Sequence, residues 1–269
     1  MTRIASLLVV ILLASACASD DSTSTESNSS ESDPTTSADD GESTATDLGS
    51  HPEPSFTAGE RTFGEVTIDD TPMEYITIVP DGFRTGDSAP VLLALPPGGQ
   101  GIEQTTSIMR DVYQTEALAR GWVVVSPAAP DGELFFQGSE KLIPGFIDFI
   151  ESWVSPEGGG VHLAGVSNGG ISSFRIATLH PERFRSLTAF PGFPSSADDV
   201  LALEELVAIP VHLFVGDGDV SWIAPMQSAA NRLTDLGGDV TYEVFPNEGH
   251  IIGALSDGVR IFDELDAAR

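Results

Sequence analysis

Gly160-Val161-His162-Leu163-Ala164-Gly165-Val166-Ser167-Asn168-Gly169-Gly170 is the stretch on which the reading of this chain turns. Its first half is a short apolar run of the kind that forms a strand buried on both faces. It passes through a Gly-flanked serine into a helical pattern from Ile171 to Leu179. Gly165 and Gly169 suit a turn so tight that a Cβ at either place would collide with the neighbouring strand or helix. The serine between them is expected in a strained backbone conformation. Strand, tight turn and helix form the context in which Gly-x-Ser-x-Gly presents a serine hydroxyl as a nucleophile. The pentapeptide alone carries little weight, because Gly and Ser are common. Its weight comes from an acid and a histidine downstream, in the order Ser, Asp, His, each just after a strand pattern.

Working outward, Arg61–Ile68 and Met73–Val79 alternate and predict a hairpin across Asp69-Asp70-Thr71-Pro72. Apolar strands follow at Val91–Leu95, Trp122–Ser126, Val161–Val166, Ser186–Phe190, Val211–Val215 and Thr241–Phe245. Helical patterns lie near Thr105–Arg120, Lys141–Trp153, Gly170–Leu179, Ala197–Leu206, Ala224–Leu236 and Ile251–Leu265. Strands apolar on both faces that alternate with helices predict an α/β protein, a mostly parallel sheet with helices on both faces. Residues 61–269 are enough for one well-cored domain. The five histidines, His51, His162, His180, His212 and His250, are scattered, and no metal-ligand cluster or internal repeat is visible.

Ser167 needs a base within hydrogen-bond reach, itself oriented by a third group. His250 is the expected base, because it follows the last strand through Pro246-Asn247-Glu248-Gly249, and sites in open α/β sheets form at strand C-termini. His162 and His212 lie within or at the start of strands, His180 ends a helix, and His51 precedes the domain.

This organisation resembles the α/β-hydrolase fold over nearly all of residues 60–269. Only 52 positions separate Ser167 from Asp219 and 31 separate Asp219 from His250, filled by ordinary strand–helix units, so no large cap domain is expected. In the resembled family the acid is the last residue of a Gly-x-x-Asp after the second-to-last strand, which Gly216-Asp217-Gly218-Asp219 matches. That points to Asp219, with Asp217, itself a good turn former, as competitor and Asp198 and Asp199 as remote options. Two N–H donors should face the oxyanion. The resemblance places one at Asn168 and the other in Pro96-Pro97-Gly98-Gly99-Gln100-Gly101, at Gly99 with Gln100 second. Pro97-Gly98 stands where the family usually has His-Gly. Phe135, Phe136, Phe193 and Trp222 lie in loops at the same rim; they are candidate pocket walls or a seal on the core edge.

The chain begins with a processing signal. Arg3 is followed by the apolar run Ile4 to Leu13, too short for the about 20 residues a span requires, and by Ala14-Ser15-Ala16-Cys17. The end of this 1–17 segment resembles a bacterial lipobox, which implies acylation of Cys17, although Ala14 replaces the usual Leu. An ordinary signal peptide cleaved near Ala16 or Ala18 is the alternative. Cys17 is the sole cysteine, so intrachain disulfides are excluded. Residues 18–60 are rich in Ser, Thr, Asp and Glu and predict a disordered acidic tether. The chain carries a net charge of −29; eleven of its 41 acidic residues fall in 18–60, leaving 30 against 11 basic ones in 61–269, a net of −19. Such a field excludes nucleic acid and anionic lipid headgroups as partners and disfavours strongly anionic substrates.

The resemblance therefore implies an exported serine hydrolase, a cell-envelope lipoprotein or an extracellular protein, acting on a small-molecule or polymeric ester. It is most similar to secreted carboxylesterases of the polyester-depolymerase or feruloyl-esterase type. No cofactor or metal is expected, and membrane contact is expected only through a lipid on Cys17. The rivals are a peptidase of the prolyl-oligopeptidase kind, an envelope acyltransferase, and a tethered binding module built on a hydrolase scaffold.

Overall fold

The computed structural model describes residues 54–269. The leader, Cys17 and most of the 18–60 stretch lie outside the described residues. By Phe56 the chain is already packed, its ring stacked on Trp153 at 5.5 Å between centroids and edge-on to Phe83 at 5.7 Å. Packed structure among the described residues thus reaches a few positions before the expected Arg61, because one aromatic side chain finds an apolar seat.

In chain order the strands are β1 (Arg61–Ile68), β2 (Thr71–Ile78), β3 (Ser88–Ala89), β4 (Val91–Leu95), β5 (Val123–Pro127), β6 (Ser155–Pro156), β7 (Val161–Gly165), β8 (Phe184–Ala189), β9 (Val211–Gly216) and β10 (Val240–Phe245). Eight of them form one sheet in the order β1-β2-β5-β4-β7-β8-β9-β10. The first two pairings are antiparallel and the other five parallel. The hairpin is tighter than its pattern predicts: Ile68 pairs with Thr71, and the turn is Asp69-Asp70 alone, with φ of 47° and 62°. Aspartate tolerates this left-handed region, and a two-residue turn of that hand matches the twist of the strands. β3 and β6 make a separate parallel pair of two residues each, too short to leave a pattern in the sequence.

The helices are α1 (Ile102–Ile108), α2 (Gln114–Arg120), α3 (Ile143–Glu151), α4 (Asn168–Leu179), α5 (Ala197–Leu201), α6 (Val220–Asp235) and α7 (Val259–Ala267). Alternate residues of each central strand go to opposite layers. Leu93, Val125, Leu163 and Leu213 pack with Phe146 and Ile150 of α3, Phe174 of α4 and Leu233 of α6. Leu92, Val124, Ala164 and Phe214 pack with Met109, Tyr113 and Ala117 and with Phe262 and Leu265 of α7. Each large apolar side chain so buried contributes about 1.5–3 kcal/mol, which is why strands buried on both faces read as unbroken apolar runs.

α1 and α2 are joined by a π-helical turn, Met109–Tyr113. Thr105, Met109, Tyr113 and Ala117, all buried, are spaced by four. A regular α-helix would carry such a stripe round by about 40° at each step, and the wider π turn absorbs the drift.

β4 lies between β5 and β7, so the chain leaves it first to one side and later returns to the other. This is the switch point of the sheet, where the loops after neighbouring parallel strands diverge and leave a crevice at their C-terminal ends.

Candidate active site

Ser167 sits at the end of that crevice, between β7 and α4, with φ 57° and ψ −119°. A non-glycine residue held there stores about 1–3 kcal/mol of strain. Its N–H donates to Pro191 O at 2.8 Å, and the N–H of Gly169 donates to Val166 O at 2.8 Å, which pins the turn from both sides. A Cβ on Gly165 would run into the carbonyl of Gly169 and Oγ of Ser173, and one on Gly169 into the carbonyls of Leu95 and Pro96. The two flanking glycines are therefore steric requirements of this turn.

The loop after β9 and the loop after β10 are stitched together. The N–H of Gly218 donates to Glu248 O at 2.9 Å and that of Asp217 to Phe245 O at 2.9 Å. The Glu248 carboxylate accepts from the N–H groups of Gly253 and Ala254 at 2.8 and 3.0 Å, holding the chain just past His250. Between these loops His250 Nδ1 lies 2.7 Å from Asp219 Oδ2, and its Nε2 lies 2.8 Å from Ser167 Oγ. The Asp219 side chain is 10 % exposed and that of His250 41 %, so the acid is enclosed while the imidazole opens outward. Asp217 is exposed, and its side chain has no hydrogen bond among the described residues. Asp199 is engaged elsewhere, ion-paired to Arg175 at 2.9 Å, and Asp198 is exposed. Behind the imidazole stands an aromatic buttress: the Trp222 ring is 4.9 Å from that of His250, and Phe193 is edge-on to Trp222 at 5.0 Å.

The remaining histidines of the domain stay apart from Ser167. His162 Nδ1 lies 2.7 Å from Ser186 Oγ, and burial pushes its pKa down to about 4. His212 is buried 3.5 Å from Glu264, and burial lowers its pKa as well.

The loop after β4 makes a turn in which the Gln100 N–H donates to Pro97 O at 3.1 Å. That bond uses the Gln100 amide and leaves those of Gly98 and Gly99, at the centre of the turn, without an acceptor among the described residues. The Asn168 N–H, in the first turn of α4, is also without one. Asn168 Nδ2 donates to Gly98 O at 2.8 Å, so the two sources of free N–H groups are tied to each other.

Gln100, expected as the alternative to Gly99 for the loop's N–H donor, has its own N–H bound to Pro97 O. Its side chain is fully buried; Nε2 donates to Pro96 O at 3.2 Å and Ser172 Oγ at 3.1 Å, and Oε1 accepts from the Phe135 N–H at 2.8 Å. It anchors the loop. The expected wall residues are also elsewhere. Phe135 is completely buried in the core, since its backbone is drawn inward by Gln100, and Phe193 and Trp222 support His250. Phe136 is half-buried and does not line the cavity onto which Ser167 and His250 open. That cavity is instead walled by Pro97, Gly98, Ile108, Val112, Phe190, Ile252 and Leu255 among others. Ile108 and Val112 lie near the middle of the helical run 102–120, where only their four-residue spacing hinted that a second face was in use. Among the described residues no group of three His, Cys, Asp or Glu is placed to hold a metal ion.

Neither a family model nor a curated protein sequence matches the chain. Solved structures do. An S-formylglutathione hydrolase from Agrobacterium tumefaciens matches with a TM-score of 0.57 at 15 % identity, over 81 % of this chain and 98 % of its own. The fold is that of the α/β-hydrolases. A thermostable esterase matches at 0.57 and 16 % identity over 70 % of this chain, and a Pyrococcus horikoshii acylaminoacyl peptidase at 0.55 and 13 % over 77 %. The chain spans 55 % of that esterase and 40 % of that peptidase. Esterases and a peptidase thus share the overall fold seen here. Among the described residues no large cap is inserted into it.

Proposed function

We propose that the chain is a serine hydrolase that cleaves carboxylic esters through Ser167, His250 and Asp219. The observation that carries this reading is the unbroken hydrogen-bonded path from Ser167 Oγ through both nitrogens of His250 to Asp219. With the proton on Nδ1 donated to Asp219, Nε2 keeps its lone pair and takes the Ser167 proton as Oγ attacks the ester carbonyl. The carbonyl oxygen, now an anion, is met by the N–H groups of Asn168 and Gly99, already free of other acceptors. Collapse breaks the bond to the alcohol, which leaves with the proton from Nε2, and an acyl-Ser167 ester remains. Water then loses a proton to Nε2 and attacks that ester; the bond to Ser167 Oγ breaks, Nε2 returns the proton to Oγ, and the acid and free serine are released.

The experiment is hydrolysis of p-nitrophenyl esters by residues 54–269, with Ser167→Ala as control and fluorophosphonate labelling alongside. Serine-dependent turnover is expected. Intact Ser167→Ala activity would refute Ser167 as the nucleophile, and wild-type protein silent in both assays would leave the binding-module reading in its place. The peptidases among the structural neighbours favour amides as the second reading; p-nitroanilides cleaved faster than the matching esters would select it. The Cys17 motif supports export with lipid attachment at that residue, tested by detergent partitioning of the full chain before and after Cys17→Ser.

A further inference from the structure

Ser167 and His250 open onto a cavity of about 620 Å³. That lies within the about 300–1,000 Å³ usual for small-molecule sites. One wall is a helical face, Gln104, Ser107, Ile108, Asp111 and Val112, and the facing wall is the segment after His250, Ile251, Ile252 and Leu255. Val166 and Phe190 close the bottom beside the serine. Most of the exposed lining is apolar, although Glu103, Gln104, Ser107, Asp111 and Ser256 also contribute to it, and Ile251 is 84 % exposed.

The charges at this wall are of one sign. Glu103 and Asp111 both line it. Asp111 is engaged by Arg110 at 2.6 Å, while Glu103 has no ion pair among the described residues. The protein around them carries a large negative charge. Glu103 is exposed, so an anionic group brought into the cavity would meet its carboxylate across a partly solvent-screened repulsion.

Resting on the serine-hydrolase reading above, we propose that this cavity receives one uncharged, apolar arm of the ester, and that Glu103 turns away arms that end in an anion. The arm's source, acyl or alcohol, is a matter of which side of the carbonyl enters.

Two substrate series separate the sources: p-nitrophenyl acetate to octanoate varies the acyl arm, and acetates of methanol to octanol vary the alcohol arm. In the series whose arm enters the cavity, kcat/KM rises about fourfold per methylene until the space is filled. Ser107→Trp, at an exposed position that lines the cavity, and Val112→Phe lower the long-to-short ratio tenfold or more. An ester ending in a carboxylate is turned over at least tenfold more slowly than its methyl ester, and Glu103→Gln narrows that gap. Flat profiles in both series, ratios unmoved by both bulky variants, or equal use of the anionic ester would overturn the proposal while serine-dependent turnover stands. The same preference is read without ester turnover from Ser167 labelling by ethyl against octyl fluorophosphonates. Absence of both turnover and labelling in the wild type removes the hydrolase reading and this proposal with it.

Discussion

Replacing Gln100 with methionine tests the anchoring role directly. Methionine is unbranched and of similar length, so the buried site stays filled while every side-chain hydrogen bond is lost. Ser172 Oγ keeps its bond to Asn168 O at 2.8 Å, so two groups lose their side-chain partner: the Pro96 carbonyl and the Phe135 N–H. A buried group left unsatisfied costs about 1–3 kcal/mol. The 3.2 Å bond to Pro96 belongs at the low end of that range and the 2.8 Å bond from Phe135 higher. The pair together costs about 3 kcal/mol, which in a domain of this size lowers Tm by roughly 6–12 °C. The loop holding Gly98 and Gly99 also loses its tether. Since one oxyanion donor is worth about 10²–10³ in kcat, a loosened one costs about tenfold. Thermal unfolding followed by circular dichroism and p-nitrophenyl ester kinetics measure the two effects. A Gln100→Met variant that melts within 2 °C of the wild type would refute the anchor and show the side chain to be dispensable. A lower Tm with unchanged kcat would keep the anchor but detach this loop from catalysis.

The two aspartates of the β9 loop differ in the same assay. Asp219→Asn, whose amide favours the wrong imidazole tautomer, lowers kcat by about 10⁴, as in comparable Ser-His-Asp sites, while Asp217→Asn stays within about twofold; equal losses would contradict the observed hydrogen bonding. His162 makes stability fall with acid. Its folded pKa of about 4 lies below the ordinary 6.5 because the ring is buried, so the folded state resists a proton that the unfolded chain accepts. The contribution is complete above pH 6.5 and is lost as pH falls from 6.5 to 4; by pH 5 it removes about 2 kcal/mol. His162→Gln should flatten the urea-derived stability curve between pH 7 and 5 by that amount, and parallel curves would show that the buried imidazole is not the cause.

Local chemistry is what the sequence carries openly, and the elbow is local. Val161 to Leu179 contain the strand, the glycines that remove two steric clashes, the serine and the helix, so the turn was legible at once. Apolar runs alternating with helical stretches likewise determined the parallel sheet, because strands buried on both faces cannot be written any other way. Beyond the Ser167, His250 and Asp219 grouping that the motif order and the resemblance implied, contacts between distant segments were not legible. Which aspartate meets His250 depends on where Gly218 and Glu248 bind each other across two loops. Gln100 reads in the sequence only as a backbone donor second to Gly99, and nothing local shows that the fold brings Pro96, Phe135 and Ser172 around its side-chain amide. Phe135 and Phe136 share a rim loop, yet a single hydrogen bond to Gln100 commits the first to the core. The cavity itself joins residues near 100, 110, 166, 190 and 252, whose only relation is that the sheet's switch point opens between them. Periodicity reports which face of an element is buried; it carries no record of what that face is buried against, and the cavity beside Ser167 is made of those second faces.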